Sequence, residues 1–176
     1  MKKSIIFFVL AVLTIAFTTS CNKDDDNKID TEKPQIDASI ANSSPNNGSV
    51  FHFGEALPVK LRLTDNQGLA AFSIEIHNNF DGHSHSTEDN EDEHEAEEHE
   101  HHHEEGEDGD AFYYTKDYDI PDNNSEFVVD IAIPLPEKSA DGDNYAGGKY
   151  HFMLTVTDKA GFSTFKAWEI EILTKE

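Results

Sequence analysis

The chain has one cysteine, Cys21, and few basic side chains among its 176 residues. A single cysteine excludes an internal disulfide framework, so a folded domain must be held together by its hydrophobic core. The 13 Lys and Arg residues are outnumbered by 36 Asp and Glu residues, which gives a formal net charge of -23. So acidic a chain repels nucleic-acid phosphates, and we expect cations or basic partners instead of nucleic acid.

The chain also lacks the run of about 20 apolar residues that a transmembrane helix needs. Its longest apolar run, residues 5–17, follows Lys2 and Lys3 and precedes the small residues 18–20. This order is typical of a cleaved signal peptide, which we assign to residues 1–20. Cys21 follows this segment, and it is either modified after cleavage or a spare thiol in an ordinary secreted protein.

Cys21, directly after the small residues, resembles the lipidated cysteine of bacterial lipoproteins. Acyl chains on Cys21 would anchor the protein in a lipid bilayer. The polar residues 22–27 resemble the signal that sends such lipoproteins to the outer cell surface. We therefore predict an outer-membrane location facing the cell exterior, with residues 21–33 as a flexible tether.

From Pro34 onward, short apolar alternations are separated by Gly, Pro, Asn and Asp clusters, and no helical periodicity persists. This pattern predicts an all-β fold, an immunoglobulin-like β-sandwich of about seven strands over residues 34–176. We place the strands near residues 35–41, 56–64, 70–78, 111–120, 126–133, 149–157 and 164–173. The segment from Tyr150 to Gly161 resembles the F strand of bacterial Ig-like modules, and Tyr150 would be the tyrosine-corner residue, which hydrogen-bonds back to the backbone.

Two similar four-residue segments, residues 65–68 and 158–161, each begin with Asp and end with Gly between two predicted strands. We favour a pair of turns in which Asp caps its own backbone and Gly supplies a positive φ. A calcium site at that end of the sandwich is the alternative. The acidic segment 141–144 allows the same two interpretations, and there too a simple turn is favoured.

Residues 80–110 form an insert unlike the rest of the chain, with 15 Asp and Glu residues, seven His and no Lys or Arg. It cannot bury a core, so we predict a long disordered loop between two strands. Imidazole and carboxylate together suit Zn²⁺ or another divalent transition metal ion. A solvated acidic spacer is the alternative, although a spacer has no need of histidine. The histidines of the insert are His83, His85, His94, His99, His101, His102 and His103.

A more ordered site is predicted where the insert leaves the sandwich. Alternation places His77 and His151 on the outer face of two neighbouring strands, where both imidazoles could reach one ion. Sandwich topology puts His52, His83 and His85 at the same end of the domain. We therefore predict a structured metal site formed by His77, His83, His85 and His151, with the acidic tract as a weaker collector. Two further carboxylates nearby, Glu169 and Glu171, are candidate ligands.

These features together resemble a family of uncharacterised bacterial lipoproteins with a single Ig-like domain. The resemblance rests on Cys21, Pro34, the run from Ile74 to Asp81 that leads into His83 and His85, and the strand that begins at Tyr150. It implies no settled activity. Some members of that family are thought to take part in metal uptake through outer-membrane receptors, which makes a receptor or transporter an implied partner.

Three functions compete on this sequence. The first is capture of zinc or a similar ion at the cell surface for delivery to an outer-membrane uptake system. The second is a non-catalytic interaction module that binds a partner protein or glycan, with the loop as a charged spacer. The third, an enzyme, is disfavoured because the sequence has no nucleophile elbow, phosphate loop or HExxH motif.

Overall fold

The structure, a computed structural model, describes residues 29–83, 85, 109–122 and 124–175. Within these ranges the chain forms eight β-strands and no helix. The strands are β1 (Gln35–Asp37), β2 (Ser49–His52), β3 (Ala56–Thr64), β4 (Leu69–Asn78), β5 (Tyr114–Asp119), β6 (Glu126–Pro134), β7 (Gly148–Asp158) and β8 (Ser163–Leu173). In the described part of the chain, no helix long and apolar enough to cross a membrane is found.

The strands make two sheets, one of order β1-β3-β6 and one of order β2-β8-β7-β4-β5. Neighbouring strands are antiparallel, except that β2 runs parallel to β8. The buried side chains of both sheets form one shared core. The predicted all-β sandwich is therefore confirmed.

The core follows from the period-2 alternation of the longer strands, because successive side chains point to opposite faces of a sheet. Alternate residues are buried along β3 from Leu57 to Leu63, β4 from Phe72 to Ile76, β7 from Tyr150 to Asp158 and β8 from Trp168 to Ile172. The residues between them are half-exposed or exposed, apart from His151. The alternate apolar residues of β6 divide into two groups. Val129 and Ile133 are buried, while Phe127 and Ile131 are only partly buried against the core.

The strand count differs from the expected seven because β2 was not predicted. Its four residues are too few for an alternation to stand out from the surrounding loop, and it forms by adding to the edge of β8. The predicted first strand, residues 35–41, is also too long. It ends at Asp37, whose carboxylate accepts hydrogen bonds from the backbone N–H and the hydroxyl of Ser39. Such a local cap competes with continued strand pairing.

Tyr150 is the predicted tyrosine corner, and the structure confirms it. Its hydroxyl donates a 2.7 Å hydrogen bond to the carbonyl of Ala146 and accepts one of 3.3 Å from the N–H of Phe112. The side chain is fully buried, and that burial raises the pKa of Tyr150 to about 12. One hydroxyl thus ties the β6–β7 loop to the segment that leads from the insert into β5.

The two Asp-to-Gly segments are confirmed as capped turns. One carboxylate oxygen of Asp65 accepts the N–H groups of Gln67 and Gly68 at 2.7 and 2.6 Å. One oxygen of Asp158 accepts those of Gly161 and Phe162 at 2.7 and 2.9 Å. These caps satisfy backbone donors that a tight turn would otherwise leave unpaired.

Candidate metal centre

The centre begins with a cross-strand pair of histidines. His77 and His151 lie on neighbouring strands, as predicted, and the register of β4 with β7 places them directly opposite each other. The inward neighbours Ile76 and Phe152 are buried in the core, so both imidazoles lie on the outer face of the sheet. His151 is nevertheless only 5% exposed, because the other imidazoles pack against its ring.

A tight turn after β4 returns the chain to this pair. The N–H of Asn79 donates to the carbonyl of Lys149 at 2.8 Å, and Gly82, with φ of 72°, donates its N–H to the carbonyl of Asn79 at 3.3 Å. Glycine suits this position because a side chain disfavours positive φ. Phe80 fixes the turn, since its ring packs edge-on against Tyr150 at a centroid distance of 5.4 Å.

His83 and His85 follow the turn and come to lie over His77. The Nε2 atom of His77 is 3.3 Å from Nε2 of His83 and 3.1 Å from Nε2 of His85. His151 completes the group, and one ring nitrogen from each of the four residues lies within 4.8 Å of those of the others. The predicted convergence of His77, His83, His85 and His151 is therefore present in the structure, and we call these residues the His cluster.

The His cluster has the dimensions of a tetrahedral metal site. Its six ring-centroid distances fall between 4.7 and 5.4 Å, so no ring stands apart from the others. Imidazoles bound to a tetrahedral zinc ion through nitrogens at 2.0–2.1 Å would have ring centroids about 5.2 Å apart and ligating nitrogens about 3.4 Å apart. The measured ring spacing, and the two Nε2 separations of 3.3 and 3.1 Å, are close to these values.

Two carboxylates orient the rings of His77 and His83. Nδ1 of His77 lies 2.9 Å from Oε1 of Glu75, and Nδ1 of His83 lies 2.5 Å from Oδ1 of Asp81. An ionised carboxylate only accepts hydrogen bonds, so in the neutral imidazoles each Nδ1 carries the proton and each Nε2 presents a lone pair. Two facing lone pairs 3.3 Å apart repel each other unless a cation lies between them. Carboxylate–histidine pairs of this kind commonly support bound metal ions.

Neither carboxylate was singled out in the sequence, although a signal for both is present. Glu75 precedes His77 by two residues and shares its face of β4, and Asp81 precedes His83 by two residues in the turn. Glu169, which was singled out, lies opposite His151 on β8 but hydrogen-bonds to Lys149 and Asn79. Glu169 is thus not part of the His cluster.

His151 is held in the neutral, metal-binding form. Burial is the main cause that lowers its pKa to about 4, and the neighbouring imidazoles of His85, His77 and His83 lower it further, while Glu169 opposes them. Its Nδ1 is buried without a hydrogen-bond partner. An unpaired buried nitrogen costs free energy that coordination to a metal ion would recover.

The lowered pKa of His151 predicts acid sensitivity of the metal-free protein. Unfolded histidine titrates near pH 6.5, so between about pH 6.5 and pH 4 the unfolded chain binds the extra proton and stability falls as pH falls. We expect the wild type to lose about 2 kcal/mol more unfolding free energy than His151→Gln between pH 7 and pH 4.5. Urea denaturation with a chelator present measures this difference, and parallel pH profiles for the two proteins would contradict it.

The other residues considered in the sequence lie outside the His cluster or outside the described residues. His52 ends β2 at the same end of the sheet but is not among the clustered groups. Glu171 lies opposite Lys149 on β8. His94, His99, His101, His102 and His103 lie outside the described residues, as do Cys21 and the predicted signal peptide. What the sequence predicts for the residues outside the described ranges stays a prediction.

Comparison with known proteins identifies a family for the chain but gives no activity. A family model with the description "Domain of unknown function (DUF4625)" matches residues 19–173. Among curated proteins, none matches the chain. The prediction that the chain belongs to an uncharacterised family is confirmed. Lipidation and metal uptake stay predictions.

Proposed function

We propose that this chain, which belongs to the DUF4625 family, binds a divalent transition metal ion, zinc foremost, at its His cluster. The observation that carries the proposal is the near-tetrahedral arrangement of four imidazoles supplied by His77, His83, His85 and His151. The paired carboxylates and the buried, unpaired Nδ1 of His151 support it independently.

Zinc suits this donor set best. Zn²⁺ has no geometric preference from its d electrons and accepts four nitrogen ligands in a tetrahedron, whereas Cu²⁺ and Ni²⁺ favour flatter arrangements. Four protein ligands leave no open coordination position for substrate, so the site would hold the ion and not catalyse a reaction with it. This supports a binding protein over an enzyme.

The position of the insert supports a role in capture. Residues 86–108 carry five histidines and 13 acidic residues. The segment starts next to His85 of the cluster, and the chain after it is held by hydrogen bonds of Asp110 with Asn144 and Ala146. The described residues on either side of the acidic tract, His85 and Asp110, are therefore held by the domain, and His85 belongs to the His cluster. Ions collected by the tract would be released within reach of the cluster.

Anchoring and delivery complete the proposal. With acyl chains on Cys21, the protein would be held on the outer membrane and face the exterior, where a captured ion could be passed to a receptor or transporter. The small-residue stretch before Cys21 and the polar segment after it support this arrangement. Binding should weaken below about pH 6, because imidazole must be neutral to ligate a metal ion.

Calorimetric titration of Zn²⁺ into the protein, produced without a polyhistidine tag, tests the proposal. A variant that lacks residues 88–105 retains the four residues of the His cluster and the hydrogen-bonded Asp110. We expect sub-micromolar binding of one ion to both proteins, with additional weaker sites only in the full chain.

Loss of tight binding with the deletion would contradict a site on the sandwich and make the acidic tract the binder. Absence of binding in both proteins would also contradict the proposal. In that case the interaction module that binds a partner protein or glycan becomes the leading function.

A further inference from the structure

A second group of ligand atoms lies at the opposite end of the same strands. Along the pairing of β4 with β7, Leu69 lies opposite Asp158, whereas His77 lies opposite His151. Leu69 and His77 are eight positions apart, which corresponds to about 26 Å along a strand. Features at the Asp158 end are therefore well separated from the His cluster.

Asp65 and Asp158 each have one carboxylate oxygen that takes no part in capping the turn. The capping bonds to the turns use Oδ2 of Asp65 and Oδ1 of Asp158. The other oxygens, Oδ1 of Asp65 and Oδ2 of Asp158, are buried without a hydrogen-bond partner, and Asp158 as a whole is only 2% exposed. A buried carboxylate oxygen with no donor is costly unless a cation neutralises it.

A third carboxylate arrives from a distant part of the sequence. Asp30 precedes β1 and is 9% exposed. One of its oxygens accepts a hydrogen bond from the N–H of Glu32 at 3.1 Å. The ligand oxygens of Asp30, Asp65 and Asp158 all lie within 4.8 Å of one another. We call these three residues the Asp cluster.

We propose that the Asp cluster binds a hard divalent cation, Ca²⁺, and that the ion fastens the segment before β1 to the two capped turns. The donor set consists of carboxylate oxygens with no nitrogen or sulfur, which suits Ca²⁺ and not the metals that favour imidazole. The spread of 4.8 Å equals about twice a Ca–O distance of 2.4 Å, so the oxygens fit around one ion.

The site has a structural consequence for the whole molecule. Asp30 lies in the segment that leads back to Cys21, and the two turns lie at the end of the sandwich away from the His cluster. A bound ion would fix the point where this segment leaves the domain. If Cys21 is anchored as proposed above, the tether would then leave the domain at the end away from the His cluster.

Calcium binding to the purified protein tests this inference, with calorimetry and thermal denaturation in Ca²⁺ or in EGTA as the two readouts. Asp30→Asn is the main variant, because it removes one charge from a residue outside the strands. Asp122→Asn is the matched control, since Asp122 is an exposed carboxylate that pairs with Lys159 beside the same turns. Asp158→Asn keeps an oxygen that can cap its turn and serves as a second test.

We expect Ca²⁺ to bind in the micromolar to millimolar range and to raise the midpoint of thermal denaturation. Asp30→Asn and Asp158→Asn should each weaken binding by at least about tenfold, while Asp122→Asn should not. His77→Ala should keep the full calcium response, which separates this site from the proposed zinc site. No response up to about 10 mM Ca²⁺, or equal responses in Asp30→Asn and Asp122→Asn, would overturn the inference.

Discussion

Replacing His77 by alanine is expected to weaken zinc binding by at least about 100-fold. His77 contacts all three other members of the cluster, with its Nε2 3.3 and 3.1 Å from those of His83 and His85 and its ring 5.4 Å from that of His151. It also occupies a regular strand, so the substitution leaves the turn that carries His83 and His85 in place. Zinc titration of the variant lacking residues 88–105, with and without His77→Ala, measures the change free of binding to the acidic tract.

Two further variants make this result specific. His52→Ala removes a histidine from a strand end on the same side of the domain and should leave zinc affinity unchanged. Glu75→Gln keeps all four imidazoles but alters the partner of Nδ1 of His77, and should weaken binding by about 10-fold to 100-fold. If His77→Ala and His52→Ala had the same affinity as the parent protein, the His cluster would not be the zinc site.

Zinc is expected to stabilise the folded domain substantially. The four ligands come from β4, the turn after it and β7, so they converge only when these strands have paired. An ion that binds the folded state alone adds about 2.7 kcal/mol at a free concentration of 100 Kd and about 4.1 kcal/mol at 1,000 Kd. For a domain of this size, such an increment raises the midpoint of thermal denaturation by roughly 10 °C.

Urea denaturation with zinc or with a chelator measures this stabilisation. The acidic tract would also bind zinc in the unfolded chain and reduce the effect, so the variant lacking residues 88–105 is the better protein for the experiment. His151→Gln in the same background is the control and should show little stabilisation. An unfolding midpoint that zinc does not move, in the presence of proven binding, would mean that the ion binds outside the folded cluster.

The fold was largely predictable because its signals are local. Period-2 alternation in β3, β4, β7 and β8 requires one face of each strand to be buried, and only a second sheet can cover that face. The tyrosine corner was predicted from Tyr150 and its neighbours in the sequence. The structure confirms it, because Tyr150 is buried near the start of β7 and its hydroxyl hydrogen-bonds to Ala146. β2 was missed because an edge strand of four residues is defined by the neighbour to which it pairs.

The His cluster was predictable in part. Alternation predicted that His77 and His151 lie on the outer face of neighbouring strands. The register that places them opposite each other is a property of the folded sheet. The return of His83 and His85 depends on the turn at Asn79–Gly82 and on the packing of Phe80 against Tyr150. The predicted topology placed these histidines at the correct end of the domain. It did not predict the orientation of each imidazole.

The sequence by itself determined the sandwich class, the inward faces of its strands and which histidines could meet. Those properties depend on periodicity, turn residues and strand order, which are local or nearly so. Tertiary structure decided the near-equal spacing of the four rings, the roles of Glu75 and Asp81, and the meeting of Asp30 with Asp65 and Asp158. These depend on burial and on distances between residues far apart in the chain, which are fixed only when both sheets and their loops have packed.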